Sequence, residues 1–330
     1  MTRVAINGFG RIGRTVLKKF LLNKNLIVVG INDLTDPKTL AHLFKYDSIH
    51  GKFDGTVSSA EKAIIINNQT IPVYAEKDPA MLPWKELQVD VVIESTGRFT
   101  KAELAEAHIK AGARKVIISA PGSGNLKSVV LGVNENILDG NEKIISNASC
   151  TTNNAAPMIK ILQDNWGVES AYITTVHAYT GDQNIHDAPH KDLRRARAAA
   201  QSIIPTTTGA AKAVTEIFPD LKGMIGGAGI RVPVIDGSIT DITCILKKDA
   251  TVEAINQKFL EASQGSMKGI IEYTTDPIVS VDIIGNTHSC IFDSMLTSVL
   301  GKMVKVVGWY DNEMGYSTRL AELTALVGKK

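Results

Sequence analysis

Cys150 is the residue of this sequence with the clearest chemical potential, and it lies in a run of small polar residues at 146–154. Mostly apolar residues at 143–145 precede this run and a helix-like pattern at 158–162 follows it, which predicts a strand, a turn and the start of a helix. Free backbone N–H groups and the positive dipole end at a helix N-terminus favour an anion such as a thiolate. Cys150 is therefore the candidate nucleophile.

His177 is the candidate partner of this thiol, because a helix terminus alone is too weak to ionise it. A terminus contributes about 0.3–1 kcal/mol and at most about 2 kcal/mol, whereas lowering a thiol pKa from about 8.5 to about 6 requires about 3.4 kcal/mol. The β-branched run at 172–176 predicts a strand that ends beside His177, so an imidazolium there would hold the thiolate. The alternative is an inert buried thiol, as most single cysteines are.

A glycine pattern near the N-terminus is the second chemical signal. Gly8, Gly10 and Gly13 follow a short apolar strand and open a helical pattern, and a second strand at 26–31 leads to Asp33. In this setting the glycines allow a tight turn, a close approach of the backbone to a pyrophosphate and close packing of helix on strand. The pattern predicts a dinucleotide site, against the alternative of a tight turn in an unrelated sheet.

Asp33 bears on the choice of dinucleotide. A carboxylate that accepts hydrogen bonds from both ribose hydroxyls repels a 2′-phosphate, which favours NAD over NADP. The alternative role for Asp33 is a helix N-cap, because Asp36 and Pro37 follow it in a turn-rich region.

The first half of the chain alternates strands and helices, which predicts a Rossmann-type, doubly wound parallel sheet in an α/β fold. Beyond the glycine pattern and a hairpin over 63–74, this half has predicted strands at 90–94, 115–119 and 129–133 and a helix at 101–111. Thr96 and Ser119, at the carboxyl ends of two strands, are expected to border the cofactor.

The second half has a different pattern, which predicts an α+β catalytic domain with a mostly antiparallel sheet. After a helix at 150–166, the predicted strands are 172–176, 230–234, 238–246, 278–284 and 303–310, with a covering helix at 252–262. We therefore expect an NAD-binding domain at 1–149 and a catalytic, substrate-binding domain at 150–314.

Two polar segments after His177 could bind anions. The loop between His177 and Ile203 carries several arginines, and a guanidinium offers paired donors to a phosphate. The run at 206–211 predicts a helix start with hydroxyls and N–H groups. The alternatives are a solvated face or subunit contact for the loop and a plain N-cap for the run. Two anion sites near one thiol would suit a phosphorylated substrate and a second anion.

Composition limits the remaining function classes. The 330 residues are 44% hydrophobic and 21% charged with a formal net charge of +2, which gives no support to a nucleic-acid or membrane role. Cys150, Cys244 and Cys290 are far apart in sequence, so neither a disulfide framework nor a metal site is predicted. The chain enters its first strand directly and has no apolar run of the roughly 20 residues that span a bilayer, so we expect a cytoplasmic protein.

Taken together, the chain resembles the phosphorylating glyceraldehyde-3-phosphate dehydrogenases of bacterial type along its whole length. The most specific stretches are residues 7–14, 146–153, 177–180, 205–212 and 309–316. The resemblance implies that Cys150 attacks D-glyceraldehyde 3-phosphate to form a hemithioacetal, with His177 as base. Hydride transfer to NAD then leaves a thioester, which inorganic phosphate cleaves to 1,3-bisphosphoglycerate in glycolysis or gluconeogenesis.

The same resemblance implies a set of site residues and a homotetramer. Thr180 and Arg231 would bind the substrate phosphate, and the attacking phosphate would meet Ser149, Thr151, Arg197, Thr208 and Gly209. The cofactor positions are Gly8, Gly10, Arg11, Ile12, Gly13, Asp33, Lys77, Thr96, Ser119 and Asn312. A terminal helix at about 315–330 would join the first domain.

The sequence departs from the family at two places. Asn154 stands where a second cysteine is common, and Ala188-Pro189 differs from the Leu-Pro of NAD-preferring members, which leaves the use of NADP open. The alternative functions are an erythrose-4-phosphate dehydrogenase and a non-catalytic NAD-sensing or RNA-binding protein on the same scaffold. Tyr179 and Thr180 after His177 disfavour the first. The presence of both Cys150 and His177 disfavours the second.

Overall fold

A computed structural model describes residues 1–329 of the chain, which divides into two compact units. The first unit comprises Met1–Val129, Asn136–Ala148 and the residues from Ser317 on, and the second comprises Val130–Glu135 and Ser149–Tyr316. Across residues 1–329, none of the helices has both the length and the apolar character that a membrane span requires.

The first unit is built on a nine-stranded sheet with the order β10-β11-β9-β8-β1-β2-β7-β6-β5. The strands of this unit are β1 (Thr2–Asn7), β2 (Leu26–Asn32), β3 (Tyr46–Asp47), β4 (Gly51–Lys52), β5 (Val57–Ala60), β6 (Ala63–Ile66), β7 (Gln69–Tyr74), β8 (Val91–Glu94), β9 (Lys115–Ile118), β10 (Lys127–Ser128) and β11 (Ile144–Ser146). Of these, β3 and β4 pair with each other in a separate two-stranded sheet. The helices of this unit are α1 (Arg11–Phe20), α2 (Pro37–Lys45) and α3 (Ala102–Lys110). The strands from β10 to β7 pair in parallel, and β5, β6 and β7 form an antiparallel meander.

The parallel strands are apolar because helices cover both faces of such a sheet. All four residues of β8 are buried, as are Val4, Ala5 and Ile6 of β1 and the α1 residues Val16 and Leu17. The chain passes from β1 to β2 on one side and later adds β8 on the other side of β1. The strand order therefore reverses beside β1, where open α/β sheets bind their ligands.

One predicted strand of this half is wrong. Residues 129 and 130 lie outside any strand and residues 131–134 form a turn after the short β10, although the apolar side chains at 129–133 suggested a buried strand. The backbone N–H of Val130 donates to Asn134 Oδ1 at 2.8 Å, and the Val133 N–H donates to the Val130 carbonyl at 3.1 Å. Gly132 adopts a φ of 82°, which a strand does not permit.

The second unit is built on a mostly antiparallel sheet with the order β13-β14-β12-β15-β19-β17-β16, to which β18 adds beside β19. Its strands are β12 (Val168–Ala178), β13 (Ile204–Thr206), β14 (Ile225–Val232), β15 (Ser238–Leu246), β16 (Ile271–Thr274), β17 (Cys290–Asp293), β18 (Ser298–Leu300) and β19 (Met303–Tyr310). The helices are α4 (Cys150–Trp166), α5 (Ala210–Ile217) and α6 (Val252–Gln264). A further helix, α7 (Met314–Gly328), begins in this unit and belongs to the first unit from Ser317 on. Only β12 with β14 and β16 with β17 pair in parallel among these residues.

The core of this unit lies between the sheet and helices α4 and α6. Burial alternates along the whole of β15, as expected for a sheet with one covered face. Phe259 of α6 stacks on Phe292 of β17 with ring centroids 3.8 Å apart. The packing of these aromatic rings fixes α6 on the sheet.

A second predicted strand, 278–284, is also wrong, and β17 was missed. Ser280–Ile283 form a short 3-10 helix, and the Asp282 carboxylate accepts from the Val279 N–H at 2.7 Å. Val279 and Val281 are 54% and 67% exposed, so their alternation with polar residues imitated a half-buried strand. The actual strand, Cys290–Asp293, has only four residues and all of them are buried, so it shows no alternation of polar and apolar residues.

Candidate active site and cofactor groove

Cys150 is the first residue of α4, and the preceding turn sets its direction. Ala148 has a left-handed φ of 53°, an unusual conformation for a residue with a Cβ. Ser149 is the N-cap, because its Oγ accepts from the Thr152 N–H at 3.0 Å. The partly buried thiol therefore lies at the positive end of a helix of 17 residues.

The imidazole of His177 contacts this thiol, with His177 Nε2 3.4 Å from Cys150 Sγ. His177 lies near the end of β12 and is 4% exposed. Its Nδ1 is 2.7 Å from the Ala178 carbonyl oxygen, which only accepts hydrogen bonds, so the ring hydrogen belongs on Nδ1. The lone pair of Nε2 then faces the sulfur and can take its proton.

Arg231 places a positive charge on the other side of this ring. Parallel pairing of β12 with β14 aligns Arg231 with His177, and Arg231 Nη1 is 3.0 Å from His177 Nδ1. Because Nδ1 carries a hydrogen, Nη1 donates to the Ala178 carbonyl at 2.9 Å and to Thr180 Oγ1 at 3.0 Å. The guanidinium opposes protonation of the ring and offers a cation to a bound anion.

Burial and this arginine set the charge state of the pair. Burial raises the pKa of the Cys150 thiol, although Arg231 and the Thr151 N–H oppose the rise. Burial, reinforced by Arg231, lowers the pKa of His177 to about 3. A thiolate and an imidazolium separated by 3.4 Å attract each other by about 5 kcal/mol at an effective dielectric constant of about 20. Both pKa shifts favour the neutral thiol and the neutral ring, so the ionised pair expected from the sequence depends on this mutual attraction more than on the helix terminus.

Tyr310 is a residue of this cluster to which the sequence analysis assigned no role. Its hydroxyl lies 2.9 Å from Thr151 Oγ1 and 2.8 Å from Thr175 Oγ1, and its ring packs edge-on against His177 with centroids 5.8 Å apart. Tyr310 thus joins α4 to β12. Its place in the run at 309–316 was a signal, but nothing in the spacing indicated where the hydroxyl points.

A second network extends from Thr180. Its hydroxyl donates to Asp182, whose other oxygen pairs with Arg195 Nη1 at 2.6 Å. Arg195 Nε donates to Thr206 Oγ1 at 3.0 Å. Burial raises the pKa of Asp182, but hydrogen bonds from Thr180 and the charges of Arg231 and Arg195 outweigh it and lower the pKa. Neither Asp182 nor Arg195 was predicted from the sequence.

Arg197, predicted to line the phosphate site, lies outside this network. Its Nε pairs with Asp187 Oδ2 at 2.8 Å, and its side chain is 67% exposed. Arg195, two residues earlier, has an 18% exposed side chain and is the arginine that contacts Asp182 and Thr206. Closely spaced arginines in one loop cannot be ranked by sequence, because the loop conformation decides which of them turns inward.

The other residues predicted for the attacking phosphate lie at two helix starts. Ser149 and Thr151 are at the beginning of α4, and Gly209 is the N-cap of α5. Thr208 Oγ1 accepts from the Ala210 N–H at 3.2 Å, and α5 packs against α4. These helix termini offer N–H donors suited to an anion.

The first unit contains a groove of about 330 Å³ where the sequence predicted the dinucleotide. It is lined by Asn7, Gly8, Gly10, Asn32, Asp33, Leu34, Glu76, Lys77, Ser95, Thr96, Arg98 and Phe99. Five of the predicted cofactor residues, Gly8, Gly10, Asp33, Lys77 and Thr96, belong to this lining. The groove opens at the carboxyl ends of the parallel strands, as the topology requires.

The glycines of the groove meet the requirements of a dinucleotide loop. Gly8 has a φ of +93°, and a Cβ there would lie 2.7 Å from the Ser95 carbonyl carbon. A Cβ on Gly13 would overlap the Gly8 carbonyl, whereas one on Gly10 would meet no described heavy atom within 4 Å. Gly13 therefore allows α1 to pack on the loop, and Gly10 leaves room for a ligand.

Asp33 lies at the edge of the groove with both oxygens held by backbone donors. The Phe9 N–H donates to Oδ2 at 2.8 Å, and the Thr35 N–H donates to Oδ1 at 2.9 Å. Its carboxylate therefore has a fixed direction relative to the glycine loop. These features fit a dinucleotide with a ribose diol.

The remaining predicted cofactor residues do not belong to this lining; they are Arg11, Ile12, Gly13, Ser119 and Asn312. Arg11 and Ile12 form the first turn of α1, and Arg11 Nη1 pairs with Asp47 at 2.9 Å. Ser119 follows β9, where its N–H donates to the Glu94 carbonyl at 2.9 Å. Asn312, in the second unit, accepts from Ser238 Oγ at 2.7 Å through Oδ1, which fixes the orientation of its amide.

A doubly wound unit with a dinucleotide groove and a unit with a paired cysteine and histidine define an NAD-dependent dehydrogenase that uses a cysteine nucleophile. Comparison with known proteins agrees. Residues 2–102 match the family described as "Glyceraldehyde 3-phosphate dehydrogenase, NAD binding domain", and residues 149–312 match "Glyceraldehyde 3-phosphate dehydrogenase, C-terminal domain". The chain therefore belongs to the glyceraldehyde 3-phosphate dehydrogenase family, which confirms the resemblance and the fold class predicted from the sequence.

Individual relatives cover nearly the whole chain. The glyceraldehyde-3-phosphate dehydrogenase of Thermotoga maritima is 57% identical over 332 residues, 100% of both chains. That of Clostridium pasteurianum is 53% identical over 326 residues, 97% of this chain and 96% of that protein. That of Geobacillus stearothermophilus is 52% identical over 330 residues, 99% of this chain and 98% of that protein.

Proposed function

We propose that this protein catalyses the reversible oxidation and phosphorylation of D-glyceraldehyde 3-phosphate to 1,3-bisphosphoglycerate, with NAD and inorganic phosphate as co-substrates. The observation that carries the proposal is the contact of 3.4 Å between Cys150 Sγ and His177 Nε2 at the start of α4. The adjacent Arg231 guanidinium is the cation that a phosphorylated substrate requires.

The first step joins the substrate to the enzyme. Cys150 Sγ bonds to the aldehyde carbon while the thiol proton passes to His177 Nε2, and the carbonyl oxygen becomes an oxyanion. The backbone N–H of Cys150, at the helix terminus, is placed to stabilise that oxyanion. When bound, NAD supplies the hydride acceptor that oxidises this hemithioacetal to a thioester.

The second step releases the product. An oxygen of inorganic phosphate bonds to the thioester carbon and the carbon–sulfur bond breaks, leaving an acyl phosphate and a Cys150 thiolate. The imidazolium of His177 stabilises the departing sulfur by the same attraction that assisted its attack. Across the cycle, the aldehyde is oxidised, NAD is reduced and one proton is released.

Two anion positions follow from this chemistry. Thr180 and Arg231 bind the substrate phosphate, since Arg231 contacts the His177 ring and also donates to Thr180 Oγ1. The attacking phosphate binds at the helix starts that carry Ser149, Thr151, Thr208 and Gly209. Arg195 replaces Arg197 as the arginine that supports this region, because Arg195 bonds to Thr206 and Asp182.

The domain roles, assembly and location are part of the same proposal. Residues 1–149, joined by the terminal helix, bind NAD through Asp33 and the glycine loop, and residues 150–314 perform the chemistry. The enzyme acts as a cytoplasmic homotetramer, as the family resemblance implies. Exposed apolar side chains of the second unit, including Tyr172, Ile203 and Met224, support self-association.

The rate of nicotinamide reduction tests this proposal. The purified protein is mixed with glyceraldehyde 3-phosphate and NAD, with and without inorganic phosphate, and the assay is repeated with NADP and with erythrose 4-phosphate. We expect rapid reduction of NAD that depends on phosphate and is lost in Cys150→Ser. Equal rates on both sugar phosphates without inorganic phosphate would refute the proposal in favour of the erythrose 4-phosphate alternative.

A further inference from the structure

A chain of buried polar side chains runs from the core of the first unit to its cofactor groove. Glu94 ends β8 and is 1% exposed, and Trp84 and His108 are 0% exposed. Trp84 Nε1 donates to His108 Nδ1 at 3.0 Å, and His108 Nε2 lies 3.0 Å from Glu94 Oε2. These groups lie beneath the dinucleotide site, and the proposed reaction gives them no role.

The strand register brings this chain to the groove. Asn7 is aligned with Glu94 on one side and with Asn32 on the other, so the last residues of three adjacent parallel strands lie side by side. Asn7 Nδ2 donates to Glu94 Oε2 at 2.6 Å, and Asn32 Nδ2 donates to Asn7 Oδ1 at 2.7 Å. Asn7 and Asn32 both line the groove.

Each hydrogen bond in this chain has only one possible direction. The indole N–H of Trp84 can only donate, so His108 Nδ1 accepts and the ring hydrogen lies on Nε2, which donates to Glu94. A carboxylate can only accept, so Asn7 turns its NH2 group to Glu94 and its oxygen to Asn32. The carboxylate therefore decides which end of the Asn7 amide faces Asn32.

The same carboxylate also holds the other wall of the groove. Glu94 Oε1 accepts from the Thr96 N–H at 2.8 Å and from Thr96 Oγ1 at 2.5 Å. Asn32, the neighbour of Asn7, makes two hydrogen bonds with the Glu76 backbone. The Glu76 N–H donates to Asn32 Oδ1 at 2.8 Å, and Asn32 Nδ2 donates to the Glu76 carbonyl at 2.9 Å. The segment that carries Lys77 is thereby attached to the same network.

We infer that Glu94 is a positioning residue of the cofactor groove, which fixes the orientation of Asn7, Asn32 and Thr96 toward the dinucleotide. His108 and Trp84 hold the carboxylate in place from below. Glu94 acts through its neighbours and lies under the groove lining. This inference rests on the proposed binding of NAD in that groove.

Glu94→Gln tests the inference because it changes the hydrogen-bond direction at constant size. The NH2 group of the new amide must face a donor, either Thr96 or the pair formed by Asn7 and His108. We expect the Kd and KM for NAD to rise about tenfold, or about 1.4 kcal/mol, while kcat at saturating NAD stays within about twofold. Glu106→Gln removes an exposed carboxylate of α3 and is the matched control.

A second pair of variants keeps the inference testable if Glu94→Gln does not fold. The amide of His108→Gln can accept from Trp84 and donate to Glu94, whereas His108→Leu can do neither. We expect the glutamine variant to retain the wild-type Kd for NAD and the leucine variant to weaken it. A lower melting temperature with an unchanged Kd in Glu94→Gln or His108→Leu would show a purely structural role and overturn the inference. Failure of the wild-type protein to bind NAD would instead refute the proposed function.

Discussion

The substitution His177→Gln tests how the reactive thiol is ionised. It removes the ring whose Nε2 lies 3.4 Å from Cys150 Sγ and leaves the sulfur at the same helix terminus. The lost attraction is about 5 kcal/mol at an effective dielectric constant of about 20, which corresponds to between 3 and 4 pKa units at about 1.36 kcal/mol per unit. Burial raises the thiol pKa, and in the variant only Arg231 and the hydrogen bonds at the helix start still oppose the rise.

The assay is the rate of alkylation of Cys150 by iodoacetamide as a function of pH. The reagent is neutral, so the Arg231 charge does not steer it, and Cys244 and Cys290 are buried. We expect the midpoint of the profile to rise by about 3 pH units in His177→Gln and kcat to fall by about 10²–10⁴. His186→Gln, at an exposed position of the neighbouring loop, should match the wild type.

A midpoint in His177→Gln within about half a pH unit of the wild-type value would refute this reasoning. The helix terminus and Arg231 would then suffice to hold the thiolate. His177 would retain only a role in moving protons during the reaction.

Two other predictions concern charged groups around the sites. Arg195→Ala should lower kcat/KM for inorganic phosphate by about 30-fold, as expected for loss of a charged hydrogen bond of about 2 kcal/mol. In the control variant Arg197→Ala, kcat/KM should stay within about twofold of the wild-type value. A larger loss in Arg197→Ala than in Arg195→Ala would show that Arg197 is the arginine of the phosphate site. Asp47, with a 2% exposed side chain, pairs with Arg11 and Lys18 at 2.9 Å each, so Asp47→Asn should lower the free energy of unfolding by about 3 kcal/mol. Burial raises the Asp47 pKa, but hydrogen bonds from His50, Lys18 and Arg11 outweigh it and hold the pKa far below 3.8. Because the unfolded chain then binds more protons, stability should fall as the pH drops below about 4, and urea denaturation should show a smaller acid dependence in the variant than in the wild type.

The sequence predicted those elements whose signal is local. The cysteine turn, helix α4 and the glycine loop are examples. In each of them the spacing of polar, apolar or glycine residues along the sequence indicates the type of element. The predicted strand leading to His177 was equally clear, because four of the five residues at 172–176 are β-branched. These elements were sufficient to indicate a nucleophile, a base and a dinucleotide loop.

The missed features depend on contacts distant in sequence. Residues 129–133 and 278–284 have strand-like composition, but side chains of Asn134 and Asp282 bind their backbone and stabilise turns. Arg195 and Arg197 have the same local sequence signal, and only the loop conformation separates them. The role of Glu94 depends on the register of three strands, which no local pattern encodes.

Intact-mass spectrometry of the enzyme mixed with glyceraldehyde 3-phosphate and NAD, without inorganic phosphate, tests the central claim most directly. We expect one acyl adduct per chain, located on Cys150 by peptide mapping, formed with one equivalent of reduced NAD and released when phosphate is added. Continued turnover without phosphate and without an adduct on Cys150 would contradict the account.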